Sequence, residues 1–401
     1  MSLGLKFFKK GASRSLYLLN SFRLIERLSG NLLNLFLPVF FYIKFDLSLT
    51  TLIAFFILNY TLQALFIIPG AKAINKIGMR GCLLWAIPIG KVYLLALYFI
   101  DWNVLLMSLV ALVLANIFRS LYWVPYNTLF ARYTVDGTRG RQLGVLNTLF
   151  GLTDVVAPLL SSYLIITSGF EGLFISSILI GLLSLWPAYL LPKTREKYSW
   201  SYRESWWQIF SRKHGRFFWA YFGDGAQSAV GIVLWPIFIW LILEGRYEVV
   251  GIISALIMGV SLLLNLVTGR YVDKYGHKRL LQAGSLLYSL GWIAKMFVVT
   301  AFQVFAVSVY HNLAAIILRT PFEAGMYDEA AHWGHYTDEY TVIQQTAVAM
   351  GKVTALGIIL FLALQLPLNL TFIIAVGGSL LMMLIRGVQK KYPAEAVVAM
   401  T

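Results

Sequence analysis

The sequence predicts an all-α membrane protein that crosses the bilayer many times. Hydrophobic residues make up 59% of the 401-residue chain and charged residues only 13%, about half the charged share of an average soluble protein. Apolar runs of roughly 18 to 25 residues recur along the whole length, and each can cross a bilayer as a helix. Only helices fit such runs, because a lipid-facing backbone must satisfy its hydrogen bonds within its own segment.

Twelve apolar segments are predicted to span the membrane. They cover residues 22–43, 48–69, 81–100, 103–128, 142–167, 171–191, 216–243, 248–268, 280–300, 302–326, 341–364 and 367–388. Six precede and six follow a polar, Trp-rich connection. The chain therefore divides into an N-terminal bundle (1–192), a cytoplasmic linker (193–215) and a C-terminal bundle (216–401). Trp206 and Trp207, flanked by bases, favour a short interfacial helix within the linker.

The distribution of basic residues predicts the orientation. Lys and Arg concentrate in every second loop, and the intervening loops hold little beyond Lys44 and Arg246. This asymmetry follows the positive-inside rule and places both termini in the cytoplasm, with the inner membrane as the expected location. The net charge of +15 is thereby explained without nucleic-acid binding. Arg23, Glu26 and Arg27 are expected at the cytoplasmic headgroups, at the entry to the first segment.

A charged loop occurs twice, each time between the second and third segments of its half. The C-terminal copy runs from Gly269 to Arg279, and the weaker N-terminal copy runs from Ala71 to Arg80. The glycines Gly78 and Gly276 are 198 positions apart, about half the chain length. A repeat with this period indicates two equivalent membrane bundles.

The loop and the six-plus-six arrangement resemble the major facilitator superfamily. The resemblance implies twelve helices in two pseudo-symmetric six-helix bundles around a central cavity, and a loop that latches the bundles in one access state. The gating-loop residues it implies are Asn75, Lys76, Gly78, Arg80, Gly269, Asp273, Lys274, Gly276 and Lys278. The N-terminal copy departs from the pattern, with Ala71 for the first glycine and Asn75 for the acid. A weaker latch is therefore expected in that half.

Ionisable groups inside apolar segments carry the functional hypothesis, because each costs a few kcal/mol in hydrocarbon. In the superfamily the first, fourth, seventh and tenth helices line the cavity, and the second, fifth, eighth and eleventh flank it. Helical spacing places polar and aromatic residues of these segments on common faces. The predicted substrate-binding or coupling residues are Arg119, Trp123, Asp154, Asp224, Gln227, His311, Asn312, Arg319, Gln345 and Lys352.

The 198-residue offset relates Asp154 to Lys352, so opposite charges occupy equivalent places in the two halves. They either approach each other or share a substrate across the cavity, or each pairs within its own bundle, for example Asp154 with Arg119. Lys91 and Lys295 lie on outer helices. A structural role is expected for both, with side chains that snorkel to the interface.

The function predicted from these features is secondary active transport by alternating access. Cavity charges that are positive on balance favour a small polar or anionic solute, with proton coupling through Asp154, Asp224 or Glu323 left open. The alternatives are an efflux carrier or flippase for amphipathic drugs or lipids, and a non-transporting receptor or scaffold. We predict a monomer in contact with membrane lipids, without enzymatic activity, cofactor or nucleic-acid partner. His332 and His335 have spacing that is common by chance, so no metal site is predicted.

Overall fold

The computed structural model describes residues 14–133, 139–194, 198–272, 277–332, 337–363 and 365–385, and every regular element within these ranges is a helix. Eight stretches of the described chain are long and apolar enough to cross a membrane. The predicted all-α membrane architecture is therefore confirmed. Asp273, Lys274 and Gly276 of the gating loop lie outside the described residues.

The N-terminal half consists of long helices with short connections. Its helices are α1 (Arg14–Asn34), α2 (Leu37–Lys44), α3 (Leu49–Tyr98), α4 (Val104–Tyr133), α5 (Arg139–Leu182) and α6 (Leu185–Leu190). The first helix begins at Arg14, eight positions before the predicted segment. Pro38 lies in the first turn of α2, where proline is tolerated because that turn has no intrahelical donor to lose. The helix is therefore interrupted between α1 and α2.

Two glycines divide the longest helices. Gly78 has φ of 72° within α3, and Gly169 has φ of 67° within α5. Positive φ is costly for residues with a Cβ and available to glycine. The backbone is non-helical at each glycine, so α3 and α5 each consist of two helices joined at a kink.

The C-terminal half follows the described part of the linker. Its helices are α7 (Tyr202–Ile209), α8 (Gly215–Ala229), α9 (Trp235–Ile242), α10 (Tyr247–Val272), α11 (His277–Lys295), α12 (Ala301–His332), α13 (Thr337–Leu362) and α14 (Ile373–Leu381). The Ser201–Glu204 capping box starts α7, the short helix expected in the linker. Two predicted segments are shorter than expected: α11 ends at Lys295, and the last apolar helix covers Leu368–Leu384.

The two halves pack along two helix pairs. The first part of α3 lies against α13, and α5 lies against α10. At one end of the molecule, which we call the far end, Tyr247 contacts Phe36 and Phe170 with ring centroids 5.8 and 6.0 Å apart. The opposite end carries the Gly78 turn and the linker, and we call it the basic end. Between the two ends lies the layer that contains the predicted site residues.

Candidate substrate site between the two halves

One ion pair of the central layer lies entirely in the C-terminal half. The guanidinium of Arg319 on α12 lies 3.1 Å from Asp224 Oδ1 on α8. Gln227 Nε2, one turn along α8, donates to the same oxygen over 2.8 Å, and Tyr288 donates to Gln227 Oε1 over 2.9 Å. Three predicted site residues thus form one network, with Tyr288 as a member that sequence analysis did not find.

A second ion pair lies entirely in the N-terminal half. Arg27 on α1 donates Nε and Nη2 to the two oxygens of Asp154 on α5, over 3.1 and 2.7 Å. Asn31 Nδ2, one turn further along α1, donates to Asp154 Oδ1 over 2.6 Å. Asp154 therefore pairs within its own half, with neither Arg119 nor Lys352. The expectation that Arg27 lies at the headgroups stays a prediction, and its partner is a carboxylate on α5.

Two cations remain in the central layer without a bound carboxylate. Arg119 on α4 donates to the amide oxygen of Asn59 over 3.1 Å, and Asn116 donates to the same oxygen over 3.0 Å. Lys352 Nζ on α13 lies 4.4 Å from the centre of the Tyr60 ring. Arg119 is close enough to interact electrostatically with both Tyr60 and Lys352, and the Asp224 carboxylate also interacts with Lys352 without forming a salt bridge. Neither cation has a salt-bridge partner among the described residues.

An aromatic surface adjoins this layer on the side of α1. Arg23 donates to the Tyr122 hydroxyl over 2.8 Å. Its guanidinium carbon lies 4.7 Å from the Trp123 ring centre and 5.2 Å from that of Tyr126. Guanidinium groups are attracted to aromatic faces. The predicted site residue Trp123 therefore contacts a cation from its own half.

The remaining predicted site residues lie around the central layer. Gln63 Nε2 and Gln345 Oε1 face each other across the two halves at 3.5 Å, and Asn312 donates to Ser261 on α10 over 3.0 Å. His311 is buried and stacks on Tyr288, with ring centroids 4.0 Å apart. His311 therefore contacts the Asp224 network through Tyr288.

The two outer lysines are both buried, so the prediction that they snorkel is wrong. Lys91 is 6% exposed, and its Nζ lies 3.3 Å from Glu26, which also accepts a 2.7 Å hydrogen bond from Ser184. Lys295 is 4% exposed and lies between the rings of Trp235 and Trp292, 4.5 and 4.2 Å from their centres. The partner of Lys91 is thus a carboxylate, whereas Lys295 contacts the faces of two aromatic rings.

At the basic end, the linker joins the two halves. Asn75 Nδ2 donates to the Tyr198 carbonyl over 2.9 Å, and Asn75 Oδ1 accepts from the Tyr198 amide over 2.8 Å. The amide and hydroxyl of the next residue, Ser199, both donate to Glu339 Oε1 at the start of α13. Burial raises the pKa of Tyr198 above its usual range, so the phenol stays protonated and shares a 2.7 Å hydrogen bond with Ser205.

These contacts give a physical reason for asparagine at position 75. A carboxylate could accept from the Tyr198 amide but could not donate to its carbonyl. Of the other predicted gating residues, Gly78 forms the turn, and Arg80 lies 4.8 Å from the Tyr189 ring centre. Lys76 and Lys278 are exposed, and Gly269 lies within α10.

Sequence analysis missed the contribution of α1 to the candidate site. Arg23, Arg27, Asn31 and Asn34 follow one another at intervals of four, four and three residues, so they share one helical face. That stripe was visible in the sequence. Arg23 and Arg27 were expected at the headgroups because they lie at the beginning of the first apolar run, and Asn31 and Asn34 were not singled out.

Comparisons with known proteins fit this architecture. The family model described as Major Facilitator Superfamily matches residues 22–243. No curated protein matches the chain. A solved POT family transporter in complex with 5-aminolevulinic acid has a TM-score of 0.72 at 14% identity, covering 94% of this chain and 96% of the other. The transporter FucP in the outward conformation has a TM-score of 0.63 at 14% identity, covering 92% and 97%.

Proposed function

The chain belongs to the major facilitator superfamily, and on this basis we propose that it is a secondary active transporter for a small anionic solute. One observation carries the substrate class. Asp154 and Asp224 are each bonded to an arginine of their own half, whereas Arg119 and Lys352, from opposite halves, have no bound carboxylate. An anion between these two cations would relieve their mutual repulsion, which is strong in a partly desolvated interior.

A solved relative of the same fold supports this choice. The POT family transporter described above was solved with 5-aminolevulinic acid, a compound that carries a carboxylate together with an amino group. Carboxylates form strong charge-assisted hydrogen bonds with guanidinium and ammonium groups. We propose that a carboxylate or a similar anion binds between Arg119 and Lys352, and that the Tyr60 ring forms one wall of the site.

Uptake into proteoliposomes tests the proposal. Matched anionic, neutral and cationic solutes are presented to the wild type and to Arg119→Gln and Lys352→Gln. We expect the wild type to accumulate the anionic solutes and each variant to lose at least tenfold in uptake. Arg246→Gln serves as the control because it removes an equal charge from an exposed site at the far end. Undiminished anion uptake in both variants would contradict the proposal.

The same assay separates the alternatives. An efflux carrier for amphipathic drugs would move lipophilic cations in preference to anions. A receptor or scaffold would bind a solute without net flux. Neither alternative explains two cations from opposite halves that have no salt bridge among the described residues, and we expect transport without covalent chemistry on the solute.

Proton coupling is the second part of the proposal. Glu323 lies one helical turn beyond Arg319 on α12 and is exposed. It has no ion pair among the described residues, unlike Asp154 and Asp224. We propose that Glu323 carries the coupled proton. Glu323→Gln should abolish the dependence of uptake on a pH gradient while retaining solute exchange, and retained dependence would rule out this role.

The arrangement in the membrane completes the proposal. The Gly78 and Gly169 turns and the pairing of α3 with α13 and α5 with α10 support twelve helices in two six-helix bundles that move about the central layer. We propose a monomer in the inner membrane with both termini in the cytoplasm. In a Cys82→Ser background, single cysteines at Lys76 and Arg246 should react with impermeant reagents from opposite sides.

A further inference from the structure

Two cavities adjoin on the outer face of the N-terminal half, at the basic end. The first has a volume of about 460 Å³ and is lined by Leu84, Leu182, Leu183, Leu185, Trp186 and Tyr189. The second, of about 350 Å³, is lined by residues that include Gly78, Arg80, Lys193 and Thr194. Leu84 lines both cavities. The site therefore has an apolar part and a polar part in contact.

The polar part is suited to an anion. Arg80 and Lys193 supply two positive charges, and none of the described residues that line the cavity is Asp or Glu. The Thr194 hydroxyl is buried and has no hydrogen-bond partner among the described residues. The helix also restarts after Gly78, and the first-turn amides of a helix favour negative charge. The two bases, the Thr194 hydroxyl and the start of the helix after Gly78 thus all favour an anionic group in this cavity.

The apolar part faces the bilayer rather than the central layer. Trp186 is 72% exposed and Tyr189 is 61% exposed, and such residues are favoured at the membrane interface. The Arg80 guanidinium lies over the Tyr189 ring at 4.8 Å, so the charged and apolar parts meet at these two side chains. A ligand that fills both parts must combine an anionic head with an apolar chain.

We propose that this site binds an anionic glycerophospholipid. Its phosphate lies against Arg80, Lys193 and the Thr194 hydroxyl, and one acyl chain lies against Trp186 and Leu84. The bases match an anionic headgroup, and the adjoining apolar cavity matches an acyl chain. The site is therefore suited to a lipid rather than to a soluble anion. The site is separate from the central layer, so it does not depend on the proposed transport function.

Native mass spectrometry of the delipidated protein tests the site. The wild type and an Arg80→Gln/Lys193→Gln double variant are titrated with phosphatidylglycerol and with phosphatidylcholine. We expect the wild type to prefer phosphatidylglycerol. The double variant should lose roughly 25-fold in affinity for that lipid, because each base near an anionic headgroup contributes about a factor of five. Phosphatidylcholine binding should not change.

The matched control is Lys278→Gln/Arg279→Gln, which removes two exposed bases in the other half. It should keep the phosphatidylglycerol preference. Should the double variant be unstable, Lys193→Gln alone is expected to lose about fivefold, since Lys193 is exposed. Equal losses in test and control variants, or none in either, would overturn the proposal. Inorganic phosphate that displaces phosphatidylglycerol at equal concentration would also overturn it, because the apolar part would then contribute nothing.

Discussion

The pairing of Asp154 with Arg27 can be tested by two double-mutant cycles. In the first, Arg27→Met and Asp154→Asn are made singly and together. In the second, Asp154→Asn is combined with Lys352→Met. The structure predicts strong coupling in the first cycle and none in the second, although the internal repeat relates Asp154 to Lys352.

The expected magnitude follows from the geometry. Arg27 donates two charge-assisted hydrogen bonds to Asp154, over 3.1 and 2.7 Å. Removing one partner of a buried ion pair costs about 3 to 5 kcal/mol. The two side chains are 29% and 28% exposed, so water offsets part of that cost. We expect each single variant to lose about 2 to 3 kcal/mol of unfolding free energy, and the coupling energy to be about 2 kcal/mol.

Unfolding free energies are measured by reversible denaturation in mixed micelles. Asp154→Asn keeps an amide that can still bond to Asn31, so its loss reports mainly the missing charge. The Asp154 and Lys352 cycle should be additive within about 0.5 kcal/mol. Additive losses for Arg27 and Asp154, together with coupling between Asp154 and Lys352, would refute the reasoning and place the Asp154 charge across the central layer.

Two further comparisons test the other polar contacts. Asn75→Asp should destabilise the basic end by about 0.5 to 1.5 kcal/mol, because a carboxylate faces the Tyr198 carbonyl without a proton to donate. Hydrogen exchange at the Tyr198 amide measures this, and unchanged protection would contradict the two-bond contact. Lys91→Met should cost about 3 kcal/mol or more because it leaves Glu26 buried and unpaired. Lys295→Met should leave the stability nearly unchanged because no carboxylate loses its partner. Thermal unfolding of the two variants measures the difference. Equal losses of stability would contradict this reasoning.

Much of the fold could be predicted from the sequence. Apolar length marks a membrane-crossing helix wherever it occurs, since the requirement for internal hydrogen bonds applies to each segment alone. The turn at Gly78 was also visible, because the repeated loop marks it. The apolar segment was predicted to begin at residue 22, whereas α1 begins at Arg14, because Arg14, Asn20 and Ser21 lower the hydropathy of the first turns.

The candidate site could be predicted only in part. The partly buried charges of α4, α5, α8, α12 and α13 were found because ionisable residues are rare in apolar segments. The polar face of α1 was missed. Asn75 was interpreted as a weakened copy of an acid. The structure instead shows an amide that uses both its donor and its acceptor on the Tyr198 backbone.

The sequence by itself determined the class of protein and the membrane-crossing character of its apolar segments, because these depend on composition and segment length. The tertiary structure decided which charges pair. The repeat relates Asp154 to Lys352 by topology, but a hydrogen bond requires atoms about 3 Å apart. Only the packing of α1 against α5 brings Arg27 to Asp154, whereas Arg119 and Lys352 of the central layer have no salt bridge among the described residues.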